Sequence, residues 1–217
     1  MLSLYEELFL LSIDDAKGTI ASHAHGILDY GLAGAVLAGL ALEGKLTVIE
    51  DRLSLVDATP SGNAILDGAM EAIASSDRLR KATHWVNVLA GKRLPKQVAH
   101  ELVTKGVLRM EEKRIFWVIP YQAYPQQDAS AKFCVKEQLR TMTLGGEKPD
   151  PHRLVLLSLL KACRLFSLVF TQDERRAASR KVDDLVKGEL FGDSVAKALE
   201  EIETAAATAA MVAITAG

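Results

Sequence analysis

The sequence predicts a mainly α fold, in which a single globular helical domain over residues 1–217 contains a buried central helix and short β-hairpins. Three observations support this prediction. Apolar residues recur with a helical period through most of the chain. Short alternating segments follow a glycine in two places, as in hairpins. Hydrophobic residues make up 49% of the 217 residues, which is enough for one sizeable core.

The first helix and a polar loop open the chain. Ser3 and Glu6 have the spacing of a capping box, so a helix is predicted to begin after Ser3 and to end before Asp14. Residues 19–25 have little apolar content and include His23 and His25. We expect them to form a loop or short turn that leads into the central helix.

The central helix and its hairpin occupy residues 26–56. Apolar residues at 28, 32, 36 and 40 share one face, Gly44 ends the helix, and the chain is predicted to turn at Glu50–Asp51. Glycines at 31, 34 and 39 would each cost about 1 kcal/mol relative to alanine in an exposed helix. A neighbouring backbone is therefore expected to pack close to them, and the helix is predicted to be buried.

A second copy of this helix–glycine–hairpin pattern is predicted between residues 97 and 120. Its helix ends at Gly106, one strand is expected over 107–110, a charged turn follows, and the return strand is expected over 115–119. Two amphipathic helices lie between the copies, and the second of them is expected to follow Asp77 and to end at Gly91.

Further helices are predicted after the second hairpin. The first is capped by Asp128, and its cations are expected to point outward: Lys132, Lys136 and Arg140. An apolar helix follows over 152–170. A capping box at Thr171 then opens a basic helix, and an alanine-rich helix begins at residue 193 or 194.

The bulk composition limits the environment of the protein. A net charge of −2 gives no general attraction to nucleic acid or to an anionic membrane, so anion binding would belong to a local patch. Cys134 and Cys163 form no CxxC pair, as expected in a reducing compartment. The amino terminus has no basic region before an apolar run, and no apolar run reaches the roughly 20 residues of a spanning helix. We expect a cytoplasmic protein.

The residues predict no enzyme, cofactor or metal site. His23 and His25 would be two ligands in a loop, and a metal site needs further carboxylate or thiolate partners that the sequence does not indicate. No nucleotide-binding loop, nucleophile elbow or metalloprotease motif is present. Trp85 and Trp117 lie in helical and strand patterns, where a tryptophan usually belongs to the core.

Two basic helix faces are candidate anion sites, Lys132–Arg140 and Arg175–Lys181. Each is either the ordinary solvated side of a helix or a site for a phosphate or lipid headgroup. A helix followed by a hairpin also resembles a winged-helix DNA-binding module. However, the central helix is apolar and carries no outward arginine or lysine for a DNA groove, so no nucleic-acid partner is expected.

Seven segments resemble, in the same order, the Golgi phosphoprotein 3 family: Leu4–Leu8, Gly31–Leu46, Ser61–Asp67, Trp85–Gly91, Leu102–Leu108, Asp150–Arg153 and Ser179–Val182. The chain is similar to a divergent, prokaryotic-type member. The resemblance implies a mostly helical domain with short hairpins, peripheral membrane association and recognition of phosphatidylinositol 4-phosphate. It also implies relatives that act as Golgi adaptors and retain glycosyltransferases.

The chain departs from this family at the headgroup pocket. The resemblance implies a tryptophan at Ala24, an arginine at Ala33 and a basic residue at Cys134. Their loss should weaken phosphate recognition, because each charge-assisted hydrogen bond contributes roughly 1.5–3 kcal/mol. The remaining headgroup candidates are His23, His25, Lys132 and Lys136. The resemblance further implies an apolar hairpin for membrane contact and self-association, expected around residues 142–156.

These observations predict a non-enzymatic peripheral membrane adaptor with altered or weakened headgroup specificity. Its expected partner is an anionic phospholipid headgroup of the phosphoinositide class, and a homo-oligomer is expected. Two alternatives stay open. One is a protein-interaction scaffold that self-associates without binding lipid, and the other is a winged-helix-like DNA binder.

Overall fold

Helices account for most of the chain in the computed structural model, which describes residues 2–91, 93–115, 118–127, 129–148, 150–186 and 191–216. These residues form nine α-helices and two antiparallel hairpins, which confirms the mainly α prediction. The helices are α1 (Leu4–Ser12), α2 (Leu28–Leu42), α3 (Ala64–Ala74), α4 (Ala82–Ala90), α5 (Leu94–Thr104), α6 (Ser130–Leu144), α7 (Pro151–Ala162), α8 (Arg175–Val186) and α9 (Asp193–Ala216). The hairpins pair β1 (Leu46–Ile49) with β2 (Arg52–Leu55) and β3 (Glu111–Ile115) with β4 (Ile119–Ala123).

Helix α2 lies at the centre of the core, as predicted. It packs against α1, α4 and α9 and also contacts α3, α5 and α7. Leu32, Leu37 and Leu40 have no exposed surface. A helix that is apolar on every side is stable only when its neighbours enclose it, as they do here. Because α2 is enclosed, it is not available to enter a DNA groove in this fold.

Close packing explains two of the three central glycines. A Cβ at Gly34 would lie 3.0 Å from the Cβ of Ala206 in α9 and 3.1 Å from the Cδ2 of Leu159 in α7. A Cβ at Gly31 would lie 3.3 Å from Leu8 of α1. At Gly39 a Cβ would meet no described atom within 4 Å, so close packing does not explain that glycine.

Both junctions between a helix and a hairpin end in the same glycine motif. At Gly44 and at Gly106, the glycine N–H and the following N–H donate to carbonyls three and five positions back. Both glycines have a φ of +72°, which a residue without a Cβ adopts at no steric cost. The first hairpin turns at Glu50 and Asp51, as predicted, and their positive φ values are typical of a type I′ turn.

The second hairpin lies further along the chain than the sequence pattern predicts. Apolar alternation predicts strands over 107–110 and 115–119, but β3 contains the charged residues at 111–114 that were expected to form the turn. An exposed two-stranded ribbon needs no apolar face, so its strands lack the usual sequence signal. Leu108 instead forms a single bridge with Gln126. Trp117 lies outside the described residues.

Three further expectations differ from the structure. Helix α4 begins at Ala82 with Lys81 as its amino-terminal cap, so Asp77 does not cap it. Residues 142–148 and 150–156 contain no strand, because Met142 at the end of α6 and residues 154–156 in α7 pack into the core from helices. The apolar helix ends at Ala162 rather than continuing to residue 170. Asp128 lies outside the described residues.

No helix in the described part of the chain is both long enough and apolar enough to span a bilayer.

Candidate functional site

A groove lies between β4, the amino end of α5 and the segment that joins α1 to α2. It consists of two adjoining cavities of about 750 and 490 Å³, whose walls share Ile20, Tyr121, Gln122 and Tyr124. We call this feature the hairpin groove. Its cavities fall within the roughly 300–1,000 Å³ that small-molecule sites occupy in proteins.

Aromatic contacts fix one wall of the hairpin groove. The ring of Tyr124 meets the ring of Phe9 edge to face, with centroids 6.3 Å apart. The Tyr124 hydroxyl donates a hydrogen bond of 2.8 Å to the Oε1 of Gln122. Burial raises the pKa of the Tyr124 phenol, so this side chain stays neutral and can donate a hydrogen bond.

Cations surround the hairpin groove, and two carboxylates line it. The cations are Lys17, Arg93 and Lys96, the imidazole of His25 lies beside them, and the carboxylates are Asp29 and Glu112. The positive end of the α5 dipole adds to the field of the cations, because Arg93 is the residue that precedes α5. This combination suits a ligand that carries both phosphate, which arginine and lysine bind, and hydroxyl groups, which carboxylates accept.

The turn after α1 positions Lys17 beside this groove. The Oδ1 of Asp14 accepts hydrogen bonds of 3.0 Å from the backbone N–H groups of Ala16 and Lys17. Both hydrogen bonds lower the pKa of the Asp14 carboxyl, and the bond from Lys17 contributes most. Next, the Tyr124 N–H donates to the Gly18 carbonyl and so joins the turn to the end of the second hairpin.

Asp29, at the start of α2, is the partly buried carboxylate of the site. Burial raises its pKa, and the nearby His25 opposes that shift. A bound cation or hydroxyl group near Asp29 would therefore favour its ionised form.

Lys132 does not point outward, which corrects the sequence expectation. Its side chain is 6% exposed, and its Nζ donates to the Ile13 carbonyl and, at 2.6 Å, to the Oδ1 of Asp15. Lys132 itself occupies an inward position on α6, one turn before Val135, so its aliphatic stem packs inside while the ammonium reaches the segment after α1. Ile13 is bridged to Ile20, so Lys132 supports the wall behind the groove.

The other three headgroup candidates lie in different settings. His25 lines the smaller cavity of the hairpin groove. His23 is exposed on the short helical turn Ser22–Ala24. Lys136 is partly exposed, and burial, followed by the charge of Lys132, lowers the pKa of its ammonium. The structure thus brings Lys132 and Lys136 together on α6 and places His25 alone of the four in the groove wall.

Both alanines at the family pocket positions face the interior. Ala24 and Ala33 have no exposed surface, so neither contributes to the wall of the hairpin groove. Cys134 is exposed on α6. The positions that the resemblance assigns to headgroup binding are therefore separate from the groove that this chain presents.

Sequence reasoning named only His25 of the groove residues as a candidate, and it missed Arg93, Lys96, Tyr121 and Tyr124 among the others. A signal was present. Two prolines bracket the tyrosines, and Arg93 and Lys96 flank a proline that suits the first turn of a helix. These segments are distant in sequence, and only the fold brings them together.

A family model, described as Golgi phosphoprotein 3 (GPP34), matches residues 4–202. The chain belongs to the Golgi phosphoprotein 3 family. It is 30% identical over 225 residues to vacuolar protein sorting-associated protein 74 of Schizosaccharomyces pombe, an alignment that covers 85% of this chain and 66% of that protein. It is 29% identical over 161 residues to the protein of the same name from Eremothecium gossypii, covering 64% and 48% respectively.

The GPP34 chain thus spans about half to two-thirds of the length of these curated relatives. The family is one of Golgi-type adaptors. The match runs from α1 to within α9, so every element that forms the hairpin groove lies inside it.

Proposed function

We propose that this GPP34 protein is a non-enzymatic peripheral membrane adaptor that binds a phosphorylated, polyhydroxylated lipid headgroup of the phosphoinositide class in the hairpin groove. The observation that carries this proposal is the groove itself, with two tyrosines in its wall and three cations and an imidazole around it. Family membership supports the adaptor role.

Headgroup specificity is proposed to differ from that of family members with an intact pocket. Ala24 and Ala33 supply neither an aromatic face nor a guanidinium, and both are buried. Arg93 and Lys96 supply the positive charge instead, from the start of α5. A guanidinium binds phosphate with two parallel hydrogen bonds, which makes Arg93 the main phosphate contact in this proposal.

Vesicle sedimentation tests the proposal. The probes are phosphatidylcholine vesicles alone, with phosphatidylserine, and with phosphatidylinositol 4-phosphate. The variant Arg93→Gln with Lys96→Gln should bind at least about tenfold more weakly to the phosphoinositide vesicles, because each lost charge-assisted contact contributes roughly 1.5–3 kcal/mol. The matched control is Arg176→Gln with Arg180→Gln, two exposed cations of α8.

Each outcome of this experiment is decisive. Loss of binding in the α5 variant and retention in the α8 variant supports the groove. Equal loss in both variants shows non-specific attraction, and selective loss in the α8 variant moves the contact to that helix. If the unsubstituted protein sediments with no anionic vesicle, the lipid-binding function is rejected.

Self-association as a protein scaffold is the second candidate function. Among the described residues, the two most exposed large apolar side chains are Val118 (76%) in the second hairpin and Phe133 (64%) on α6. Contiguous exposed apolar patches mark protein contacts, and this candidate requires that the two side chains belong to such a patch. Light scattering of the protein and of a Phe133→Ser, Val118→Ser variant tests this candidate. A concentration-dependent oligomer that the substitutions dissociate supports it, whereas a monomer at every concentration rejects it.

A further inference from the structure

A cavity of about 470 Å³ lies between α7 and α9 and shares no lining residue with the hairpin groove. We call it the α7–α9 cavity. Much of its wall is apolar: Leu154 and Val155 from α7, Val186 at the end of α8, Phe191, and Leu199 from α9. A wall of this kind accommodates the apolar body of a small ligand.

The charged groups that line this cavity are mainly acidic. Helix α9 contributes Asp193, Glu200 and Glu203. Lys197 also lines the cavity, but its Nζ lies 3.6 Å from the Oδ1 of Asp51 in the turn between β1 and β2. Its charge is therefore directed toward another carboxylate.

Glu203 is the most enclosed of these carboxylates. Its burial, and then the charge of Glu200, raise its pKa from 4.5 to about 7. Two groups oppose this rise in pKa. The Ser158 hydroxyl donates a hydrogen bond to the carboxylate, and the positive charge of Lys161 also favours its ionised form. Lys161 is itself paired with Asp183 of α8, and the buried thiol of Cys163 is also close to Glu203. Among the described residues, the carboxylate thus has one hydroxyl partner and only a share of the charge of Lys161.

We propose that the α7–α9 cavity binds a small amphiphilic cation, with its ammonium group against Glu203 and its apolar body between Leu154, Val155 and Leu199. A cation at this point supplies the charge that Lys161 and Lys197 direct elsewhere. The apolar walls favour an alkyl or aryl body over a hydrated metal ion. This site is independent of the proposed lipid function, and Glu203 lies just beyond the residues that the family model matches.

Amide NMR titrations of the 217-residue chain test the proposal. The probes are hexyltrimethylammonium, whose charge does not change with pH, and two ligands with the same alkyl chain, 1-hexanol and hexanoate. The cation should bind more tightly than either and should shift amides of α7 and α9. Its affinity should fall about tenfold between pH 8 and pH 6, because Glu203 takes up a proton in that interval.

Two variants and one control complete the experiment. Glu203→Gln keeps the shape and should weaken cation binding about tenfold, with hexanol binding unchanged. Ala196→Phe should fill the cavity and abolish binding of both ligands. Glu201→Gln, on the same helix but not in the wall, is the matched control and should bind like the unsubstituted protein. Equal binding of the cation by Glu203→Gln, equal affinity for hexanol and the cation, or no shift in α7 and α9 at millimolar ligand would each overturn the proposal.

Discussion

The ammonium of Lys132 shows how one buried charge joins two distant segments. It is held by a backbone carbonyl and a carboxylate, and the carboxylate of Asp15 also accepts a 2.8 Å hydrogen bond from the Nε2 of Gln126. The segment after α1, helix α6 and the end of the second hairpin therefore meet at one point. This point lies behind the hairpin groove, so its loss should loosen the groove as well as the fold.

We predict that Lys132→Met lowers the free energy of unfolding by about 1–3 kcal/mol, because the Ile13 carbonyl would lose a buried donor while the aliphatic volume is kept. Urea denaturation followed by circular dichroism measures the change. Lys136→Met is the control and should have a smaller effect, since burial already disfavours its charged form. Equal losses in the two variants would show that the buried contact of Lys132 contributes little.

Gly34 and Gly39 offer a matched pair in one helix. We predict that Gly34→Ala destabilises the protein by about 1 kcal/mol or more, because the new Cβ would lie 3.0 Å from that of Ala206, which cannot rotate away. Gly39→Ala should stabilise by up to about 1 kcal/mol, since the new methyl meets no described atom and alanine favours the helix. Thermal unfolding of both variants measures the two shifts, and shifts of the same sign would contradict the packing argument.

The sequence allowed some of these residue roles to be predicted. The spacing of glycines in an apolar helix predicted close packing at Gly31 and Gly34, since only a neighbouring element explains their cost. The prediction that Lys132 points outward was wrong. The helical period only assigns residues to a face of the helix, whereas the acceptors of Lys132 belong to a segment more than 100 residues away. A long aliphatic stem lets a lysine reach inward from the edge of a polar face.

At the scale of the element, the carboxyl end of α7 differs from those of α2 and α5, because the left-handed position that follows the helix holds an arginine instead of a glycine. Arg164 has a φ of +58°, and its N–H and that of Leu165 donate to carbonyls three and five positions back, as at Gly44 and Gly106. A side chain in this left-handed conformation costs about 1 kcal/mol or more relative to glycine. The helix therefore ends in a strained residue that its hydrogen bonds hold in place.

We predict that Arg164→Gly raises the free energy of unfolding by about 0.5–1 kcal/mol, because it relieves this strain without changing the hydrogen bonds. Gly106→Ala, at the corresponding position of α5, should lower it by a similar amount. Chemical denaturation of both variants provides the measurement. A loss of stability in Arg164→Gly would mean that the guanidinium makes a contact more valuable than the strain it imposes.

Elements that contribute to the buried core were predictable, and the exposed hairpin was not. Helices α1, α2 and α3 follow their apolar periods and caps. Hairpin β3–β4 was misplaced because charged residues form its first strand, and solvent exposure leaves no apolar alternation to detect. The hairpin expected at 142–156 is absent from the described residues there for a different reason. Its apolar residues were expected in strands, but they belong to two core helices.

At the scale of the whole molecule, the candidate site could not be predicted because it has no local sequence pattern. Its walls come from α1, the segment before α2, the start of α5 and strand β4. Each contributes between one and four ordinary residues, such as Phe9, Ile20 or Arg93, and only the packing around α2 places them together. By contrast, the family resemblance depends on order along the chain, and the match over residues 4–202 confirms it.

The dependence of stability on pH also belongs to the whole molecule, because opposing carboxylates contribute to it. A bidentate contact with Arg140, together with the Thr171 N–H, lowers the pKa of Glu174 to about 2 and joins α6 to α8. The Thr59 hydroxyl and N–H, with Lys45, lower the pKa of Asp57 to about 2. Both groups stabilise the fold above the ordinary carboxyl pKa, and this contribution is lost as the pH falls toward 2.

Glu203 acts in the opposite direction, and we predict that Glu203→Gln is more stable than the unsubstituted protein above pH 7 and equally stable below pH 4.5. Below 4.5 the carboxyl is protonated in both the folded and unfolded chain, so it contributes no difference. Between 4.5 and 7 the unfolded chain releases this proton and the folded chain retains it, so stability falls as the pH rises. The full shift corresponds to about 3 kcal/mol, which the variant should recover. Urea denaturation at pH 4, 6 and 8 measures it, and a difference that is constant across these values would place the effect in packing rather than in the buried charge.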